Sequence, residues 1–172
     1  MVPCFVRRLF AMSLVVGAVG VLPELTGCMG MGTDNGMGGL HTGLEQARYG
    51  STEINAGSNE YRGGDRTGSV NRMSTGRDQI AKGVGMMQTS MNEMGGRGMM
   101  GGSGMQGVDM QTMHEAMSRL LTASADIQTA CDMMEDKDPS NDGPAIDMMD
   151  RSVTTLDSSL EMMSGSMGSA CH

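Results

Sequence analysis

The stretch from Val108 to Met163 constrains the fold more than any other part of this chain. In its first half Met110, Met113, Met117, Leu120, Ser124, Ile127, Cys131 and Met134 follow one another at steps of three and four. In its second half Ile146, Met149, Val153, Leu156, Leu160 and Met163 keep the same rhythm. Steps of this kind hold a stripe on one face of a helix, the seam that packs in bundles and coiled coils. Between the two halves, Pro139 stops the first helix. Pro144 suits the first turn of the second, where its missing N–H costs nothing. The pattern predicts an antiparallel helical hairpin.

A further helix is expected over 77–94, where Ile80, Val84, Met87, Met91 and Met94 step four, three, four, three. Gly83 and Gly85 each weaken it by about 1 kcal/mol relative to alanine. Gly95-Gly96 ends it and opens a glycine-rich connection to the hairpin. Residues 28–75 show no such periodicity, and their Gly, Ser, Asn and Asp content reads as a disordered, flexible tether. A short helix over Leu40–Arg48 is the one element it would admit. The expected fold is therefore all-α: a three-helix bundle over 76–165, with a four-helix bundle as the alternative, and a tail over 166–172. An all-β fold is excluded by the scarcity of aromatic and β-branched residues.

Residues 1–27 have the form of a signal peptide. Arg7 and Arg8 give a positive start, and Leu9 to Leu22 is an uncharged apolar run too short to span a membrane. The run leads to Leu25-Thr26-Gly27-Cys28: a branched apolar residue, two small ones and a cysteine. This leader resembles those of bacterial lipoprotein precursors, whose lipobox ends in the cysteine that receives the lipid. The resemblance covers the leader alone. It implies thioether lipidation at Cys28, cleavage before it and acylation of the new amino group. The mature protein is then held on a membrane by its acyl chains, at about 0.8 kcal/mol per buried methylene. It implies a cell-envelope location, and with Met29 after the cysteine, the outer membrane in a Gram-negative cell.

Removing Cys4 and Cys28 leaves Cys131 and Cys171 in the mature chain. Outside the cytoplasm an even pair suggests a disulfide. With a helix ending near Gly165, six extended residues just span the distance back. Free thiols, an intermolecular bridge and metal binding are the other readings.

Charge is concentrated in the hairpin. From Gln106 onward twelve acids face three bases, a net of −9, against −8 for the whole precursor with its two leader arginines. No basic patch with interleaved aromatics points to nucleic acid. Asp136, Asp138, Ser140, Asp142 and Asp147 fall at calcium-loop positions, but the central glycine and the terminal bidentate glutamate are missing, so the segment reads as a helix–helix turn with acidic caps. His41, His114 and His172 are scattered, and no nucleophile elbow, phosphate loop or zinc motif occurs. Cys171-His172 lacks the second cysteine of a haem-attachment motif. Nothing here suggests an enzyme.

Methionine carries the remaining signal. Met1 and Met12 leave with the leader, so 21 of 23 methionines remain while both phenylalanines are lost. Seam methionines are explained as core. The doublets Met86-Met87, Met133-Met134, Met148-Met149 and Met162-Met163 each add one on the flank of the seam. Thioethers are soft ligands that favour Cu(I). In composition the chain resembles methionine-rich extracytoplasmic copper-handling proteins, without any of their defined motifs. The candidate ligand set is Met86, Met110, His114, Met117, Cys131, Met133, Met134, Met148 and Met162, and Cu(I) or Ag(I) is the candidate cofactor. Two roles follow from the sequence. One is a structural or partner-binding lipoprotein that docks another envelope protein. The other is a Cu(I)-buffering lipoprotein.

Overall fold

Both halves of the Val108–Met163 stretch are helical, and so are the described residues before them apart from one short turn. The computed structural model describes residues 35–98, 109–136 and 138–168. Among the described residues four helices follow in order: α1 Asn35–Arg62, α2 Arg66–Gly98, α3 Met110–Glu135 and α4 Asp142–Gly168, with a 3-10 turn at Pro139–Asn141. No strand occurs among the described residues. Each helix packs against the next in the chain and α1 closes against α4, an up-down-up-down four-helix bundle.

The predicted seam is the core. Met113, Leu120, Ile127, Met134, Met149, Leu156 and Leu160 are fully buried, as are Ile80 and Met87 of the predicted third helix. The ends differ. That helix starts at Arg66 rather than Arg77, and α4 runs on to Gly168.

The reading of 28–75 as a tether is corrected from residue 35 onward, where α1 and the first turns of α2 stand. The reason is the spacing of the glycines. Gly43, Gly50 and Gly57 recur every seven residues in α1, and Ser69, Gly76, Gly83 and Ser90 do so in α2. All seven are buried, facing each other across an antiparallel pair. A Cβ on Gly43 would stand 2.7 Å from the Gly83 carbonyl oxygen. One on Gly50 would stand 2.6 Å from that of Gly76, and one on Gly57 3.1 Å from that of Ser69. Two backbones in this contact leave no room for a methyl group. Here glycine lets the helices touch; it does not loosen the chain.

The α3·α4 pair uses the same period with larger residues. Ala116, Ala123 and Ala130 face Ala145, Ser152, Ser159 and Ser166, all buried. The α1–α2 turn is a Schellman motif: Gly64 takes φ +93, the Asp65 amide donates to the Glu60 carbonyl at 3.0 Å and the Gly64 amide to that of Tyr61 at 2.9 Å. Asp65 then accepts from the Gly68 amide at 2.8 Å at the start of α2. Both turns lie at one end of the bundle, where Arg62 of α1 reaches Asp150 of α4. The free helix ends lie at the other.

Candidate functional site

The turn end is held by one buried carboxylate. Asp142 opens α4 and is 2% exposed. Arg66 opens α2 and donates to it twice, Nε to Oδ2 at 2.7 Å and Nη2 to Oδ1 at 2.9 Å. The same Nη2 donates to the carbonyls of Met134 and Asp136 at 2.9 Å. Arg66 thus places a cation on the exposed carbonyls ending α3, while Asp142 places an anion at the N-terminus of α4. The hydrogen bond from Arg66 is the main force holding the Asp142 carboxyl below its ordinary pKa. Nearby, Arg77 of α2 reaches Glu135 of α3 at 3.1 Å, and Ser51 of α1 donates to Asp157 of α4 at 2.7 Å. The ion pairs between the hairpins all take their base from α1–α2 and their acid from α3–α4.

The candidate ligands divide between the two ends. At the open end, Met110 packs half-buried on the core and Met117 is buried. His114 between them is exposed, and its Nδ1 lies 2.7 Å from the Met110 carbonyl oxygen of its own helix. Towards the turn end, Met134 is 1% exposed and Cys131 also 1%. The Cys131 thiol donates weakly to the Met73 carbonyl at 3.8 Å, and burial pushes its pKa up to about 12.

The flank methionines have a reason to be apolar in a four-helix bundle. A helix with two neighbours buries a wider face than a hairpin seam alone, and Met133, Met148 and Met162 are partly buried against the core. Met86 is half-buried on α2, beside Gly83 and Ser90 on the α1·α2 seam. It therefore sits on the opposite side of the bundle from Met162, which flanks the α3·α4 seam. Arg119 of α3 stands 3.9 Å from the Met162 sulfur. At heptad spacing, Met133 shares the face of α3 that carries Arg119, and Met148 the face of α4 that carries Met162, so both flank the outer groove of the α3·α4 pair.

Cys28 and Cys171 lie outside the described residues. Cys131 is a free, buried thiol. In the α3–α4 hairpin it is level with about Pro144, from which α4 rises about 36 Å to Gly168. Three residues beyond Gly168 reach at most about 11 Å. A bridge within one chain would require the last turns of α4 to unwind.

Among the described residues no group of three or more His, Cys, Asp or Glu converges to hold a metal. The acidic turn is already committed: Asp138 accepts from the Ser140 amide at 3.0 Å, and Asp142 is held by Arg66. On the outer side of α1–α2, an open groove is lined by Glu53, Glu60 and Asp65, with Arg72 reaching Glu60 at 3.1 Å and Glu53 at 3.5 Å. No described helix is long and apolar enough to cross a membrane. No family model matches the chain, and no curated protein or solved structure is similar to it.

Proposed function

We propose that this protein is a lipid-anchored envelope lipoprotein whose helical bundle serves as a structural, partner-binding element rather than an enzyme. The leader and Cys28 carry the anchor. The partner surface is the outer face of α3–α4, and the observation behind it is the segregation of charge. The acids on the inner side of α3–α4 are matched by arginines of α1–α2. Outside, Glu115, Asp126, Asp147 and Glu161 stand exposed around the adaptable side chains of Met133, Met148 and Met162. A basic surface on another envelope protein has the chemistry to meet this face.

The anchor is tested by metabolic labelling with a fatty acid. Cys28→Ser should abolish incorporation and release the protein from the membrane fraction, and undiminished labelling would remove the anchor. The surface is tested by site-specific photo-crosslinking in cells. Crosslinks to one partner from positions 122 and 151, weakened by salt and absent from positions 48 and 52 on α1, are expected. Equal yields from both faces would count against α3–α4.

A second reading, Cu(I) binding, draws on Met133 and Met148 flanking the same α3·α4 groove. Two thioethers without a third soft donor make a weak site. Titration against a colorimetric Cu(I) chelator should then lose its signal in Met133→Leu/Met148→Leu and keep it in Met86→Leu. Failure of the unaltered protein to compete would end this reading.

A further inference from the structure

The two hairpins are one pattern written twice. A shift of 73 carries α1 onto α3, taking Leu40, Leu44 and Ile54 to Met113, Met117 and Ile127. The same shift takes Gly43, Gly50 and Gly57 to Ala116, Ala123 and Ala130. A shift of 76 carries α2 onto α4, taking Met73, Ile80 and Met87 to Met149, Leu156 and Met163. It also takes Gly76, Gly83 and Ser90 to Ser152, Ser159 and Ser166. Every one of these positions is buried in both hairpins.

The contacts repeat as well. Arg62 of α1 reaches Asp150 of α4. Their counterparts are Glu135 of α3 and Ser74 of α2, and the Ser74 hydroxyl donates to Glu135 at 2.7 Å. An operation that exchanges the α1·α4 contact with the α2·α3 contact is a two-fold rotation about the bundle axis. A residue can touch its own counterpart only on such an axis. Arg66 and Asp142 are counterparts, 76 apart, and they touch.

We propose that the chain is a tandem fusion of two copies of one self-pairing helical hairpin, in which Arg66 and Asp142 on the pseudo-two-fold axis restrict pairing to unlike copies. Two hairpins of the first kind would set guanidinium against guanidinium on the axis. Two of the second kind would set carboxylate against carboxylate where Asp142 is 2% exposed. Like charges set together here repel, most of all the two carboxylates shielded from water, and only the mixed pair is compensated. The covalent link makes that mixed pair intramolecular, at high effective concentration. Fusion also releases the outer faces from identity. Glu60 and Arg72 pair at 3.1 Å on the first hairpin, and their counterparts on the second are Met133 and Met148.

The full chain provides the test through trans-complementation. Asp142→Arg leaves both hairpins with a cationic axis position, and Arg66→Asp leaves both anionic. Each variant alone should be destabilised. Refolded together as differently tagged chains, they should exchange hairpins and form a 1:1 heterodimer by size exclusion with light scattering. A parallel mixture of tagged wild-type chains should not. In cis, the double variant Arg66→Asp/Asp142→Arg should recover at least tenfold in unfolding constant over the product of the single losses. A mixture in which no heterodimer forms, or a double variant no better than the combined singles, would overturn the pairing role. The repeat itself is tested by Arg62→Glu/Asp150→Ser, which copies the Glu135–Ser74 contact onto the other side. It should be more stable than Arg62→Glu alone, and an equal loss would refute the two-fold.

Discussion

Gly50→Ala should destabilise this protein although alanine is the better helix former. In a helix interior the exchange of glycine for alanine gains about 1 kcal/mol. At position 50 the new Cβ would lie 2.6 Å from the Gly76 carbonyl oxygen, 2.7 Å from Ile80 Cγ1 and 2.9 Å from the Ile80 amide nitrogen. Two of these atoms are backbone and cannot rotate away, so α1 and α2 must part along several turns. Overpacking costs about 1–3 kcal/mol, and a clash against backbone belongs at the upper end. The net loss is then about 2 kcal/mol, a fall of roughly 4–8 °C in Tm for a chain of this size. Gly85→Ala is the control: it lies in α2, is exposed, and its Cβ would meet nothing within 4 Å. It should stabilise by about 1 kcal/mol. Thermal and urea unfolding followed by far-UV circular dichroism measure both. Adding Gly76→Ala to Gly50→Ala should cost less than the two singles together, because the first methyl has already opened the seam. If Gly50→Ala were as stable as the wild type, or moved with Gly85→Ala, the backbone contact would not be what organises α1 and α2.

Three further outcomes follow from single residues. The folded-state pKa of Asp142 is depressed, so its stabilisation is present at neutral pH and is lost as pH falls below about 4 towards the folded value; Asp142→Asn should lower Tm at neutral pH and converge with the wild type in strong acid. Ser58 Oγ is buried without a hydrogen-bond partner, so Ser58→Ala should stabilise by about 1 kcal/mol in urea titrations, and a loss would show that the hydroxyl has a partner after all. Cys131, with its pKa pushed up to about 12 by burial, should react with a thiol reagent only as fast as the bundle opens; in a Cys171→Ser background, labelling as fast as that of the urea-unfolded chain would refute its burial.

The second hairpin was legible because Leu, Ile, Val and Met mark its seam at all steps but Ser124 and Cys131. In the first hairpin only α2 was, because the same face in α1 is written Leu40, Gly43, Leu44, Ala47, Gly50, Ser51, Ile54, Gly57 and Ser58. An apolar count sees three large residues there and takes the glycines for breakers. The overlooked signal was the seven-residue spacing, mirrored so that facing pairs sum to one number: 43 with 83, 50 with 76, 57 with 69. At the candidate site, sequence found the flank methionines but not their grouping. Which of them share a groove depends on the α3·α4 register, and the reason they are apolar depends on a fourth helix hidden in the supposed tether. Asp142 read as one acidic cap of a turn and Arg66 as one residue of the tether, since nothing local marks a position as lying on an axis between repeats.

The methionines and the glycines are parts of one packing solution. Where a glycine brings two backbones together, the partner helix must lay a side chain into the notch left by the missing Cβ. Met87 sets its Cγ 2.7 Å from where a Gly43 Cβ would be, Met73 does the same at Gly57, and Ile80 places Cγ1 over Gly50 at the same distance. A leucine at 73 or 87 would put its branch point in that notch, with two methyl groups beyond it. Methionine offers a methylene there and carries its bulk past the seam into the core, where both residues are at most 1% exposed. The cost is side-chain entropy, about 1.5–2 kcal/mol for methionine against 0.5–1 for leucine. A seam this close selects for the flexible side chain despite that cost. Met73 and Met87 therefore have a structural origin in the core, and any soft-metal chemistry is left to the sulfurs that the seam does not require.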